Sequence, residues 1–292
     1  MQQFVNVLLN GVSQGMIIAA FALALVLIFR STRIINFAQG SMAMLTTYIA
    51  LALVEAGYSY WIAFAVALLT GFVLGAVIER VIIRPVEGGP ELNAVIVTLG
   101  LFVAIQAFAA IVFGSSFKSF PSPVGLSGFS IGGFNLGLTP KDIFIMVTVL
   151  IVMGGLTLLF QKTSLGLTMR AAAFDNEVSR LLGVRVSRLL TFGWALAGLV
   201  GAVSGILVAT GGLVSPGYME PIIVLGFVGA VLGGLDSPVG AVVGGLLLGV
   251  LLSGVSSYVA PELVNLSALA LLIAVLLIKP SGLFSSSVAR RV

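Results

Sequence analysis

Polar side chains that could bind a solute interrupt the apolar sequence at two places. Asn36, Gln39 and Ser41 lie in the stretch IINFAQGS, and Asp236 and Ser237 lie in GGLDSPVG. Amide, hydroxyl and carboxylate groups in an apolar region can bind a polar solute or an ion, because they are seldom left facing lipid. A lone Asp beside Ser and Pro more often forms a turn or caps a helix. The five residues are therefore candidates for a solute path, and the surrounding elements decide what that path crosses.

The sequence contains no complete catalytic constellation. The segments GVSQG and GFSIG match the G-x-S-x-G nucleophile pattern, but the chain has no His to act as the base and no Cys to supply a thiolate. No Lys follows a Gly, which excludes the P-loop that binds ATP. We predict that the chain is not an enzyme and binds no cofactor or metal of its own. An intramembrane hydrolase is the least favoured hypothesis.

Composition indicates an integral membrane protein. Hydrophobic residues make up 59% of the chain, charged residues only 8%, and the mean hydropathy is +1.22. A soluble domain carries about 25% charged residues. The pI near 9.7 does not indicate nucleic-acid binding here, because the basic residues cluster between apolar segments.

Nine apolar windows follow one another with short gaps, and spanning the bilayer takes roughly 20 apolar residues in a helix. We predict an all-α polytopic membrane protein with eight to nine transmembrane helices, some short or broken. The windows cover residues 4–29, 35–54, 60–78, 92–113, 142–160, 189–210, 222–235, 239–258 and 262–278.

The basic residues predict the orientation. If the N-terminus is outside, alternation places only Lys118 and Lys141 outside and leaves the other 12 of the 14 Lys and Arg residues in the cytoplasm (14 − 2 = 12). The positive-inside rule favours this arrangement, with the C-terminus in the cytoplasm.

The two polar interruptions predict irregular backbone at membrane depth. We interpret IINFAQGS as a broken helix start that meets a pore or a neighbouring helix, and a polar cytoplasmic loop is the alternative. The window 222–235 is too short to cross alone, so residues 222–258 form either two short spans or a re-entrant pair. The similar placement of FAQGS and LDSPVG predicts an inverted internal repeat around a transport site.

The longest predicted cytoplasmic loop, residues 161–188, contains the pattern of a short amphipathic helix. Asp175 is placed as the N-cap, Arg180 lies in the last turn, and Gly183 suits the left-handed position after a helix. The apolar face consists of Phe174, Val178, Leu181 and Leu182. The helix either lies on the lipid interface or docks into a cytoplasmic partner, and its short length and mixed charge favour docking.

At this segment the sequence resembles a known family. RAAAFDNEVSRLLGVRVSRLLTFGWALAGLVGAVSGIL is similar to the coupling-helix region of permease subunits of bacterial ABC importers. IINFAQGSMAML, VIERVIIRP, VTLGL and GAVLGGLDSPVGAVVGG resemble the permease subunit of high-affinity branched-chain amino acid importers, LivH type. The resemblance covers nearly the whole chain.

The resemblance implies a single transmembrane permease domain, residues 1–292, in the bacterial inner membrane, with a coupling region at 161–188. Its implied partners are a homologous second permease subunit, two cytoplasmic ABC ATPases that bind ATP and Mg, and a periplasmic solute-binding protein. The implied ATPase-docking residues are Phe174, Asp175, Val178, Arg180, Leu181 and Leu182. The predicted pore residues are Asn36, Gln39, Ser41, Asp236 and Ser237.

Other functions stay open at the level of sequence. A pore with almost no fixed charge suits a branched-chain or other hydrophobic amino acid, and it also suits urea or a short amide. An ion-coupled secondary carrier would instead need Asp236 or Glu220 and would tolerate changes at Phe174 or Leu181. A membrane scaffold has no need of polar breaks at depth.

Overall fold

Helices form nearly all of the chain in the computed structural model, which describes residues 2–86, 89–131, 134–135, 137–174, 176–279 and 282–284. The first five helices are α1 (Gln2–Thr32), α2 (Gln39–Glu55), α3 (Tyr60–Ile78), α4 (Glu91–Phe113) and α5 (Pro140–Lys162). The next six are α6 (Ser164–Phe174), α7 (Asn176–Leu181), α8 (Val186–Ala209), α9 (Glu220–Gly233), α10 (Pro238–Tyr258) and α11 (Val264–Ile278). Short non-α helical segments are Glu79–Ile83, a π-helix, and the 3-10 turns Arg84–Val86 and Pro261–Leu263.

Each of the nine predicted apolar windows contains a helix. Seven helical segments among the described residues are long and apolar enough to cross a membrane. The helices α2 and α9 are shorter, with 17 and 14 residues. This confirms the predicted all-α polytopic class with short helices.

Two pairs of two-residue strands form hydrogen bonds within the loops between helices. The strands β1 (Lys118–Ser119) and β4 (Leu213–Val214) pair antiparallel, with Lys118 opposite Val214. The strands β2 (Ser130–Ile131) and β3 (Phe134–Asn135) form a second antiparallel pair.

Packing divides the chain into two compact units that do not follow chain order. Unit 1 contains residues 1–26, 124–146 and 221–292, and unit 2 contains residues 27–123 and 147–220. The sequence predicted a single transmembrane domain over residues 1–292, and this stays a prediction.

Unit 1 brings α1 and α10 together through small residues. Gly249 lies against the backbone of Gly15, and a Cβ on Gly245 would approach Ala19 Cα at 2.5 Å. Membrane helices approach this closely only where side chains are absent, because lipid supplies no hydrophobic force to press larger ones together. The core beside this contact consists of Ile18, Val228, Leu248, Leu252 and Ala268.

Unit 2 is built around α8, which is buried along most of its length. Gly75 of α3 lies against the carbonyl group of Trp194, and Gly71 lies against that of Gly198. The hydroxyl groups of Tyr60 and Thr210 are 3.2 Å apart, so α3 and α8 run antiparallel. The helix α8 is therefore the reference against which the other elements of unit 2 are positioned.

The helix α2 begins at mid-depth rather than at the end of unit 2. Gln39, its first residue, donates from Nε2 to the carbonyl oxygen of Ala197 at 2.9 Å, and Ala197 lies halfway along the 24-residue α8. Further along, Ala43 lies against Gly205, so α2 runs parallel to α8. At 1.5 Å per residue, the start of α2 lies roughly 17 Å from either end of α8. The backbone of residues 34–38 is therefore non-helical and buried at depth, which confirms the predicted broken helix start.

The helix α9 also begins at depth. Gln106, seven residues before the end of α4, donates from Nε2 to Oε1 of Glu220 at 3.0 Å (113 − 106 = 7). The non-helical segment that precedes α9 covers residues 210–219. The order of helix, break, short helix and long helix thus occurs twice, in α1–α3 and in α8–α10.

This order corrects the sequence comparison of FAQGS with LDSPVG. Residues 234–237 form a tight turn between α9 and α10, in which Gly234 has φ +104° and Gly233 contacts Gly240. In this helical hairpin Gly234 N donates to the Ala230 carbonyl and Ser237 N to the Gly234 carbonyl, so it is a turn and not an interrupted helix start. The equivalent of residues 33–38 is therefore 210–219, which supports the predicted repeat with a different second break. The helix α10 is of spanning length and α9 is not, and the choice between two spans and a re-entrant pair for residues 222–258 stays a prediction.

Charges distinguish the two ends of unit 2. The ends of α1 and α5 and the start of α8 meet at a cavity lined by Leu27, Arg30, Phe160, Arg170 and Leu190. We call this the basic end. The opposite end, which we call the strand end, carries the β1–β4 pair and an ion pair of 3.3 Å between Lys118 Nζ and Glu55 Oε2.

We predict that Gly75→Ala destabilises unit 2. The added methyl group would collide with the backbone of Trp194, and overpacking of this kind costs roughly 1–3 kcal/mol. Thermal unfolding of the purified protein in detergent should show a lower midpoint. Gly154→Ala in α5 is the matched control, since nothing lies within 4 Å of that Cβ position. Equal midpoints for the two variants would contradict the proposed α3–α8 contact.

Candidate functional site

An exposed apolar patch lies on and just after α7. Leu181 and Leu182 expose 83% and 79% of their surface, and Val178 exposes 49%. The helix ends as the sequence predicted, because Gly183 adopts φ +82° and Val184 N donates to the Ser179 carbonyl at 3.0 Å. We call Val178, Leu181 and Leu182 the α7 patch. Three exposed aliphatic side chains close together on one short segment make this a candidate partner surface.

The α7 patch is held by the helices on either side of it. Ala172 of α6 and Val186 and Leu190 of α8 form a small buried cluster, against which Val184 and Leu189 pack. Ser179, on the inner side of α7, exposes only 4% of its surface. A six-residue helix is too short to be stable alone, so α7 depends on its own contacts with α6 and α8, which this cluster joins.

For the other predicted docking residues, the structure gives only their positions along the helices. Phe174 is the last residue of α6, a helix that the sequence analysis did not predict, and so precedes α7. The expected N-cap, Asp175, lies outside the described residues, although α7 begins at the residue after it. Arg180 lies in the last turn of α7 as predicted. The docking roles of all six residues stay predictions.

An ion pair between the buried Glu79 and the half-buried Arg84 connects the end of α3 to the start of α8. Glu79 is fully buried, and Arg84 donates to it from Nε and Nη2 at 3.1 and 3.0 Å. Thr191 Oγ1 lies 2.7 Å from Glu79 Oε2, and Arg84 Nη2 also lies 3.1 Å from the carbonyl oxygen of Ser187. The π-helix Glu79–Ile83 explains the spacing, because its i to i+5 bonds place residues five apart on one face. The pair therefore fixes the first turns of α8, the helix that directly follows the α7 patch.

The predicted pore residues of the first interruption are buried against α8. Asn36 Nδ2 donates to Gln39 Oε1 at 3.1 Å, and Asn36 Oδ1 accepts from the Ala38 backbone at 3.0 Å. Ser41 donates to the Ala38 carbonyl at 3.1 Å. These side chains satisfy the backbone of the interruption and meet a neighbouring helix rather than lipid. A role in the pore stays a prediction for all three.

The second pair of predicted pore residues lies in the turn between α9 and α10. Ser237 is the N-cap of α10, since its Oγ accepts from Gly240 N at 2.9 Å, and Pro238 follows at the first helical position. Asp236 is exposed in the same turn. The sequence analysis gave this role, a turn and a helix cap, as the alternative to a pore site for Asp236.

A third polar pair consists of Gln106, which was not a predicted site, and Glu220, which the sequence named only for the ion-coupled alternative. Glu220 is exposed at the start of α9 and bonds to the half-buried Gln106 of α4. The loop before Glu220 is anchored by Tyr218, whose hydroxyl donates to Thr47 Oγ1 at 2.8 Å and lies 3.0 Å from the Gly205 carbonyl oxygen. The pair thus lies in the half of unit 2 nearer the strand end. Among the described residues, no group of three or more acidic side chains could hold a metal ion.

Comparison with known protein families identifies the family to which the chain belongs. The family described as "Branched-chain amino acid transport system / permease component" matches residues 7–276. The chain belongs to this permease family. Its match includes all of the sites described above.

Individual relatives agree with the family match. The permease is 30% identical to the "High-affinity branched-chain amino acid transport system permease protein LivH" of Salmonella typhimurium, over 96% of this chain and 95% of the relative. It is 30% identical to the permease protein BraD of the same kind of system from Pseudomonas aeruginosa, with the same coverage. A solved structure, "PsaBC from Streptococcus pneumoniae in complex with Fab", has a TM-score of 0.51 at 13% identity, covering 93% of this permease and 91% of that chain. The last likeness concerns the fold alone.

Sequence reasoning missed the Glu79–Arg84 pair and the Gln106–Glu220 pair for different reasons. Glu79 and Arg84 are five residues apart, a spacing that faces one way only in a π-helix, and the VIERVIIRP stretch gave no sign of one. Gln106 and Glu220 are 114 positions apart and meet only because α9 begins at depth. Gln106 lies inside the predicted apolar window 92–113, and a polar residue in such a window is the sequence signal that could have indicated the Gln106–Glu220 pair.

We predict that Glu79→Gln lowers the stability of the permease. The substitution removes the charge that Arg84 binds, and a hydrogen bond to a charged group contributes about 1.5–3 kcal/mol. Thermal unfolding in detergent measures the loss, and Glu55→Gln is the control because its pair with Lys118 is exposed and contributes about 0–1 kcal/mol. Equal effects at positions 55 and 79 would show that the buried pair is not stabilising.

Proposed function

We propose that this permease is the membrane-spanning subunit of an ATP-driven importer that carries branched-chain or other hydrophobic amino acids across the bacterial inner membrane. The observation that supports this most is the α7 patch on a permease that has no P-loop of its own. A chain without an ATP site can use ATP only through a partner, and the exposed patch offers a surface for one. The partners in this proposal are a homologous second permease, two ABC ATPases with bound ATP and Mg, and a solute-binding protein.

The orientation in this proposal follows from charge. The basic end of unit 2 lies in the cytoplasm and the strand end faces the outside, with the N-terminus outside and the C-terminus inside. The α7 patch then faces the cytoplasm, where the ATPases are. The six docking residues and five pore residues named from the sequence keep their roles here as proposals.

The mechanism is alternating access. A loaded binding protein docks at the strand end, and ATP binding brings the two ATPases together at the basic end. The α7 patch moves with the ATPase, and the α6–α8 cluster and the Glu79–Arg84 pair transmit this displacement to α3 and α8. ATP shifts the equilibrium only because it binds the closed ATPase state more tightly than the open one.

The amino acid relatives favour an amino acid over urea or a short amide as the solute. Transport by the reconstituted complex, measured with labelled leucine, urea and acetamide in the presence of ATP, separates these solutes. ATP-independent uptake driven by a proton or sodium gradient would support the ion-coupled alternative instead.

We predict that Leu181→Glu abolishes ATPase binding while the permease remains folded. A carboxylate in an apolar groove must be desolvated without a partner, which costs several kcal/mol and weakens binding by more than about a hundredfold. The measurement is co-purification of ATPase subunits with the solubilised permease from its native membrane. The matched control is Leu213→Glu, which changes another exposed leucine, at the strand end.

Two outcomes would contradict the proposal. If the ATPases co-purify with Leu181→Glu as well as with wild type, the α7 patch is not the docking surface. If wild type itself brings down no ATPase under conditions that retain other partners, the ATP-driven mechanism fails.

A further inference from the structure

The Gln106–Glu220 pair is a charged site that the membrane cannot tolerate facing lipid. The helix α4 has 23 residues, a length of about 34 Å, and Gln106 lies about 10 Å from its end along the axis. The carboxylate of Glu220 is therefore bonded to α4 well inside the end of a helix that is long and apolar enough to span a core of about 30 Å. Ionisable groups at such positions face a water-filled cavity or a polar partner.

The described residues supply hydrogen bonds to Glu220 but no cation. Its bonded partner is the neutral Gln106 amide, and Lys118 is engaged with Glu55. The other close approach is to Gly217, where an added Cβ would lie 3.0 Å from Glu220 Oε1. A carboxylate held in this way keeps acceptor capacity for a positively charged group.

Apolar surface lies next to the pair on the same flank of α4. Phe102 and Phe113 are four residues before and seven residues after Gln106, which places all three on one face of the helix. Both aromatic residues are half-buried, and Phe113 stacks on Tyr48 with ring centroids 5.1 Å apart. One face thus combines a carboxylate, an amide and aromatic rings.

We propose that Glu220 and Gln106 form a solute-binding site on the translocation route, in which the Glu220 carboxylate binds the ammonium group of the amino acid. Gln106 orients the carboxylate and offers its carbonyl oxygen as a second acceptor, while Phe102 and Phe113 contact the apolar side chain of the solute. This inference rests on the proposed function and adds the recognition of one solute group to it.

Accessibility to water is tested first, and the absence of cysteine makes the experiment direct because each variant carries a single thiol. In the reconstituted importer, Gln106→Cys should react with a cationic, membrane-impermeant methanethiosulfonate, and leucine-loaded binding protein should slow the reaction. Phe108→Cys is the control, since Phe108 is 52% exposed at similar depth on the other flank of α4 and should stay unreactive. Reaction at both positions, or at Phe108 alone, would overturn the assignment of this flank to the route.

The role of the charge is tested by Glu220→Gln. Loss of a charge-assisted hydrogen bond to the ammonium group should reduce ATP-driven leucine uptake about tenfold, with co-purification of the ATPases unchanged. Glu220→Asp should recover part of the uptake, and Glu262→Gln, an exposed acid outside unit 2, should match wild type. Wild-type uptake by Glu220→Gln would overturn this inference alone. Absence of ATP-driven leucine uptake by the wild-type complex would overturn the proposed function instead.

Discussion

Backbone amides and carbonyls have no water to bond with inside a bilayer, and this constraint governs where the chain can leave helical geometry. The permease leaves it between α1 and α2, where Asn36 and Ser41 bond to the backbone of the interruption and Gln39 bonds to α8. The bond from Gln39 to the Ala197 carbonyl is the central one, because it holds the start of α2 against the midpoint of α8. Without a partner for that amide, a helix could not begin at this depth.

The same constraint explains the use of small residues. Two helices that are held at mid-depth by side-chain hydrogen bonds must be close enough for short polar groups to reach. Gly201 and Gly205 provide that approach on α8, since Gln39 and Ala43 occupy the space where their side chains would be. The glycine content that looked generic in the sequence thus has particular tasks at the α2–α8 and α3–α8 contacts.

Much of the fold could be predicted from the sequence because hydrophobic length is a local property. Every apolar window contains a helix, and Gly183 ends α7 where its conformational freedom indicated. The second interruption was misplaced because a hairpin turn and a broken helix start share the same residue types, Gly, Asp, Ser and Pro. The two features differ only in whether the backbone is satisfied locally or by a distant helix. The Glu79–Arg84 and Gln106–Glu220 pairs depend on a π-helix and on a contact across 114 positions, neither of which has a periodicity that sequence alone reveals.

The brevity of α7 has a consequence for the thermodynamics of association. Six residues cannot hold a helix by themselves, so the entropy of ordering this segment is lost when the permease folds and not when a partner arrives. In the proposed docking, binding at Val178, Leu181 and Leu182 would then have to offset mainly the loss of rigid-body and side-chain entropy. A contact area far smaller than that of a free peptide could therefore support tight association. Mutations that loosen the Ala172–Val186–Leu190 cluster should weaken that association without touching the interface at all.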